Sequence, residues 1–212
     1  FGTVWAVGRS ERINIRSISG YGYDNGDLII NTIGVNTVVD TRDRVPFPSS
    51  GKYYTFFYEL SSGKFLGGDI SYFKVENILH THYTFLRRNT LSQKLLWGTS
   101  DLTTPFSEQF RLGGAESFYG LREGELQGRH VISASWEYRY RLPWKPLWDM
   151  FFSMRFEVGA AWKNAVHIKA EDFVNGRGAC LAMSTPAGPL QLSYGFASNN
   201  KKRLYVSLGH TF

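Results

Sequence analysis

Two histidines stand two apart in LHTHY, as His80 and His82. On a strand this spacing puts both rings on one face, where they could present nitrogens to a metal ion. No third ligand accompanies them, and His130, His167 and His210 are scattered along the chain. The pair therefore reads as polar side chains of one strand face, and neither a metal nor a cofactor is expected. Acyl-transfer chemistry of the lipase kind needs a G-x-S-x-G elbow, and the sequence has none. The segment LGGAESFYGL is glycine-rich but lacks the strand–GxxxxGK–helix setting of a phosphate cradle. The basic run KKR, 201–203, could meet phosphate groups but reads first as a solvated loop. What remains is charge without a catalytic set: Glu137, Arg139, Arg155 and Glu157, and a long charged loop at 110–128. A carboxylate withdrawn from water needs a cationic partner. The chemistry on offer is that of holding a loop in place, and no enzyme is expected.

The elements that must carry these groups alternate with a period of two. In VISASWEYRYRL, 131–142, Ile132, Ala134, Trp136, Tyr138, Tyr140 and Leu142 share one parity, and Ser133, Ser135, Glu137, Arg139 and Arg141 the other. In FFSMRFEVGAAW, 151–162, Phe152, Met154, Phe156, Val158, Ala160 and Trp162 oppose Ser153, Arg155 and Glu157. Strands send alternate side chains to opposite faces, so each segment has an apolar face and a charged one. In the last segment Leu204, Val206, Leu208 and Phe212 share a parity, with His210 the polar exception. Further strands are expected at 3–9, 12–23, 28–41, 52–61, 69–85, 90–99, 178–185 and 189–197, separated by turn-like stretches such as GRSER, SSGKFLGG and TPAGP. The reading is all-β, with about eleven strands and at most a short helix in IKAEDFVN, 168–175.

Composition bounds the setting. The chain has 212 residues, a net charge of +6, 16% aromatic residues and one cysteine, Cys180, so no internal disulfide can form. The basic balance reads as surface charge, able to attract anionic head groups, and no nucleic-acid partner is expected. No stretch approaches the ~18 apolar residues of a membrane helix, which leaves open a barrel whose strands need only ~10 alternating residues. Alternation alone permits a soluble barrel with its apolar face inward. It also permits a lipid-facing barrel with a polar lumen, in which Tyr138, Tyr140, Trp144, Trp148 and Trp162 near strand ends suit an interfacial girdle.

Several segments, in order along the chain, carry a resemblance. NTVVDTRDRVPFPSSG, 36–51, resembles a strand-and-turn motif of the bacterial surface antigen superfamily, the BamA- and TamA-type outer-membrane barrels. RLGGAESFYGLREGELQG resembles that family's long sixth extracellular loop, which folds back into the lumen. RFEVGAAW, 155–162, resembles the strand that receives the loop, with Glu157 in the place of the family's acid. TPAGPLQLSYGFA, 185–197, resembles the penultimate turn and strand, and LYVSLGHTF with Leu208 and Phe212 the C-terminal barrel signal.

The resemblance implies an antiparallel transmembrane β-barrel with a long lumen-folded loop, in the bacterial outer membrane. The chain would be the C-terminal part, about eleven strands, of the family's sixteen-stranded barrel. It reads as a single barrel domain over 1–212, or a fragment of one that an N-terminal domain or a second copy completes. At the loop tip the family usually reads Arg-Gly-aromatic, where this chain has Tyr119, Gly120 and Leu121. The implied site is Gly113, Gly114, Tyr119, Gly120 and Leu121 inside the lumen, with Arg122 or Arg129 replacing the absent arginine as partner of Glu157. Alternatively the Tyr119 hydroxyl donates to Glu137 or Glu157, or Arg139 forms a plain wall pair with Glu157. The implied function is insertion or translocation of polypeptides, with outer-membrane lipid, lipopolysaccharide and substrate polypeptides as partners. REGELQG looks most like barrels fused to patatin-type phospholipases, so a membrane anchor for a lipase domain absent here is the alternative. A soluble β-barrel binding protein is a further one.

Overall fold

The computed structural model describes residues 2–15, 26–144, 148–164, 169–198 and 200–209. Its long strands are β1 (Gly2–Ile15), β2 (Gly26–Asp40), β3 (Gly51–Ser61), β4 (Tyr72–Phe85) and β5 (Asn89–Ser100). They continue as β8 (His130–Arg141), β9 (Met150–Trp162), β10 (Val174–Thr185), β11 (Gly188–Ala197) and β12 (Lys202–Leu208). These ten form one sheet in chain order, every pairing antiparallel. A small hairpin of β6 (Phe110–Leu112) and β7 (Leu126–Gly128) interrupts the connection from β5 to β8. Among the described residues β1 and β12 pair on one side only, so the sheet is open at both edges.

Three expectations about elements are corrected. Segments 3–9 and 12–23 were expected as separate strands, but Gly2–Ile15 is one strand, and residues 16–25 lie outside the description. GRSER is turn-like in composition, yet Gly8 to Arg12 stay in register with Ile33 to Ile29, and Ser10 donates to Asn31 Oδ1 at 2.7 Å. The short helix expected at 168–175 is a single 3-10 turn, Ala170–Asp172, and β10 begins at Val174 rather than at 178. SSGKFLGG, expected only as a turn, holds a one-turn helix, α1 (Gly63–Leu66), capped by the Ser62 hydroxyl.

The sheet's two faces decide between the two barrel types. On the outer face Ile33, Val35, Leu91, Trp97, Trp136, Tyr138, Met154, Phe156, Leu181, Leu192, Leu204 and Val206 are exposed, and Phe152 on the same face is half-buried. On the inner face Glu59, His82, Ser92, Ser135, Arg139, Ser153, Glu157 and Ser193 are buried. Apolar groups outside and polar groups inside invert the order of a soluble protein and match a sheet whose outer face meets lipid. No helix among the described residues is long and apolar enough to cross a membrane, so the crossing elements are the strands.

Candidate functional site

The β5–β8 connection lies across the inner face of β8 to β12. Its buried tip is Phe118, Tyr119 and Leu121, at 0%, 3% and 0% exposure. The bend is held by Phe118 N–H to Gly114 O at 2.9 Å, Gly114 N–H to Leu121 O at 3.2 Å and Gly113 N–H to Ser117 Oγ at 2.7 Å. Gly120 has a φ of 85°, in the left-handed region, and a Cβ there would lie 2.4 Å from Ala197 N. Gly113 is equally constrained, since a Cβ would lie 1.9 Å from Arg122 O.

The tip sits in a cradle of strand glycines. A Cβ at Gly176 would meet the Phe118 ring at 2.8 Å, at Gly178 the Tyr119 ring at 2.6 Å, and at Gly195 Gly120 N at 2.7 Å. Glycine weakens a strand, and its presence in one marks close approach of another backbone. Here the approaching chain is the loop. Sequence reasoning did not single out these three. The signal that could have found them is the glycine spacing in NGRG and YGFA, on the inward parity of β10 and β11.

Glu157, 1% exposed, is the acid beneath the tip. Its Oε2 accepts the Tyr119 backbone N–H at 2.6 Å, and its Oε1 lies 3.0 Å from Arg155 Nε. The Arg155 contact is one of charge, because the N–H does not point at the oxygen. The same guanidinium donates from Nη2 to Ala115 O in the loop and lies 3.6 Å from the Tyr119 ring centroid. The cation of the lock thus comes from the wall and reaches up to the loop. Tyr119 supplies a backbone N–H to the carboxylate and a ring face to the guanidinium.

The expected partners of Glu157 are elsewhere. Arg129 donates to Lys163 O at 2.6 Å, Leu102 O at 3.0 Å and Asn164 Oδ1 at 2.6 Å, which ties the loop's return to its base. Arg122 is exposed, and its backbone N–H donates to Glu125 Oε2 at 2.7 Å. The Tyr119 hydroxyl lies against Ser193 and Cys180 rather than a carboxylate. Arg139 pairs with Glu137 at 3.7 Å, donates to Pro48 O, and packs near the Phe47 and Phe151 rings. This group closes the opposite end of the inner face, where the β2–β3 turn folds inward and the tilted Phe47 ring lies 4.5 Å from that of Phe151.

Two further anchors were not foreseen. Tyr205 of β12 donates to Leu121 O at 2.7 Å and stacks on Tyr119 at 5.9 Å. At the loop's start Arg9 lies 2.8 Å from Glu108 and 3.9 Å from Glu59, whose Oε1 accepts the Tyr72 hydroxyl at 2.9 Å. Between loop and turn remains a cavity of about 300 Å³, lined by Arg42, His80, Lys94, Glu137, Arg139 and Arg155 among others. The His80 and His82 rings lie tilted to one another with centroids 4.0 Å apart, and His82 Nδ1 lies 2.8 Å from Ser92 Oγ. Among the described residues no group of three or more His, Cys, Asp or Glu side chains converges on one point. Leu208 is exposed on the outer face of β12, while Phe212, His210 and His167 lie outside the described residues.

The fold is shared with a solved outer-membrane protein. The crystal structure of BamA from Haemophilus ducreyi lacking POTRA domains 1-3 superposes with a TM-score of 0.74 at 14% identity, covering 88% of this chain and 43% of that one. The chain thus spans less than half the length of that relative. No curated protein matches the sequence. A family model, the Omp85 superfamily domain, matches residues 8–212. With an inverted sheet, a loop locked to the inner wall and a match over nearly its whole length, the chain belongs to the Omp85 superfamily of bacterial outer-membrane β-barrels.

Proposed function

We propose that this chain is the working side of a barrel that inserts or translocates polypeptides at the outer membrane. β12 is the strand that exchanges partners, and the locked loop is its brace. One observation carries the reading: the loop tip is bonded to β12 itself, through the Tyr205 hydroxyl on Leu121 O. β12 has seven residues and, among the described residues, pairs only with β11. Its other side presents unpaired N–H and C=O groups, which can template an incoming strand. A short strand separates cheaply from a partner, because few ladder bonds break together. The tip, held from below by Glu157 and Arg155, keeps β12 in place while its free edge changes partner. Strands that complete the barrel, from an N-terminal part or a second copy, would occupy the same edge at rest.

The test is disulfide capture. The full-length protein carrying Ser207→Cys is reconstituted in vesicles and challenged with an unfolded barrel substrate bearing cysteines along its terminal strand. Register-specific cross-links during assembly are expected. A barrel that folds normally and yields no cross-link would instead fit the anchor of a patatin-type lipase domain, whose β12 edge has no exchange to perform.

A further inference from the structure

The outer face carries a feature that a uniform lipid-facing wall does not need. One lateral row across the sheet runs Trp136, Phe156, Arg177, Phe196, Lys202, each paired with the next. Two cations therefore flank Phe196 on the outer face, and Lys202 Nζ lies 5.9 Å from its ring centroid. Among the described residues neither Arg177 nor Lys202 has a carboxylate partner, whereas neighbouring Lys201 is paired with Glu125. The next row toward the β10–β11 turn has Ala179 between Met154 and Tyr194. A small side chain between two tall ones leaves a furrow of about 540 Å³, walled by Trp136, Tyr138, Met154, Phe156, Tyr194 and Phe196. Beyond Phe156 and Phe196 the furrow runs into a second hollow of about 560 Å³, whose lining includes Arg177, Lys201 and Lys202.

We infer that this is a binding site for a phosphate-bearing, acylated lipid of the membrane leaflet at the loop end. An acyl chain fills the furrow beside Ala179, and the phosphate sits between Arg177 and Lys202. The charge fits: two cations with no carboxylate partner among the described residues stand where the apolar belt ends and the β11–β12 loop begins. An arginine on a lipid face is tolerated near the interface, where it can hold an anion and stay hydrated. A guanidinium takes a phosphate through two parallel N–H donors, and an ammonium adds a point charge beside it. Basic clusters at this depth recognise lipid head groups. The shape fits as well. A furrow one side chain deep, closed laterally by aromatic rings, suits a chain lying along the strands rather than a globular partner.

The test uses the full-length protein in a neutral detergent, read by native mass spectrometry and by thermal shift. The probes are diphosphoryl lipid A, its dephosphorylated form, phosphatidylethanolamine and inorganic phosphate. Diphosphoryl lipid A should remain bound and raise the midpoint, with the dephosphorylated form bound about tenfold more weakly. The double variant Arg177→Gln, Lys202→Gln should lose about tenfold in affinity, and Ala179→Trp, which fills the furrow and leaves both cations, a similar factor. Arg177→Lys should retain most of the binding. All three positions are on the lipid-facing side, so folding is checked separately by β-sheet circular dichroism. Unchanged affinity in the double variant would overturn the proposal and leave two hydrated interface cations. Equal retention of inorganic phosphate, with no effect of Ala179→Trp, would also overturn it, since the cations would then form an anion patch with no lipid site.

Discussion

Arg155→Met removes the cation of the lock and keeps most of its volume. Glu157 is then left 1% exposed with a single donor, the Tyr119 N–H at 2.6 Å. Removing one member of a buried ion pair costs ~3–5 kcal/mol when the other charge is stranded. The retained backbone bond and a partly wet inner face reduce this to about 2–3 kcal/mol. The lost bond to Ala115 O adds about 1 kcal/mol, and the lost contact with the Tyr119 ring about 1 kcal/mol. The single variant should therefore lose roughly 4–5 kcal/mol of loop and barrel stability in all. Glu157→Gln keeps an acceptor for Tyr119 but strands Arg155. Combining Arg155→Met with Glu157→Gln removes both charges, so the double variant should recover a coupling of about 2 kcal/mol. The assay is urea unfolding in lipid vesicles, read by tryptophan fluorescence. A parallel readout is the rate of trypsin cleavage at exposed Arg122. If the coupling is below ~0.5 kcal/mol, Arg155 is not the partner of Glu157 and the wall-to-loop account fails. The same cycle run with Arg122→Gln or Arg129→Gln should give no coupling, because neither reaches Glu157.

Gly178→Val should expel the Tyr119 ring, whose Cδ2 would lie 2.6 Å from the new Cβ. Trypsin should then cut the loop as fast as in Arg155→Met while the sheet spectrum is unchanged; slow cleavage would mean that the cradle has slack. On the outer face, Leu192→Arg lies in the middle of the apolar rows and should cost ~2–4 kcal/mol in vesicle unfolding. Phe156→Arg stands level with Arg177 and should cost only ~0–1 kcal/mol, so equal costs would refute the assigned depth. Burial would raise the Glu125 carboxyl, but Lys201, the Arg122 N–H and nearby Arg203 outweigh it and hold the group below its ordinary value. A depressed carboxyl stabilises the fold above its unfolded pKa of ~4.3, and that contribution fades as pH falls below it. Loop protection against an acid-active protease should therefore weaken below about pH 4.3, less steeply in Glu125→Gln.

The strands were legible where one face is apolar and the other charged, as in 131–142 and 151–162, because alternation is local and survives any tertiary context. It failed where packing or position overrode composition. GRSER reads as a turn, yet the sheet carries it in register with β2. Backbone pairing of Gly8 to Arg12 with Ile33 to Ile29 carries a stretch whose composition favours a turn. NGRG at the start of β10 was missed for the opposite reason. Its glycines suit no strand by propensity, and they are there because Phe118 and Tyr119 need the room.

The lock shows the same limit at the level of single contacts. Parity put Glu157 and Arg155 on the inner face together, and the loop's resemblance gave its direction of folding. Neighbours of one parity on a strand stand nearly 7 Å apart at the backbone, and Arg155 was not among the partners expected for Glu157. Arg155 is long enough to fold back over its own strand to Glu157 and still reach Ala115 O and the Tyr119 ring. A tyrosine at the tip makes this workable, because its ring accepts the cation while its backbone N–H takes the carboxylate. Had position 119 carried the family's arginine, two guanidiniums would compete for one buried carboxylate. Tyr119→Arg should therefore destabilise this barrel, and Arg155→Met in the same chain should restore it. Loss of stability in the single variant with no rescue in the double would mean that the two positions are independent, and that the wall arginine is not what replaces the loop's.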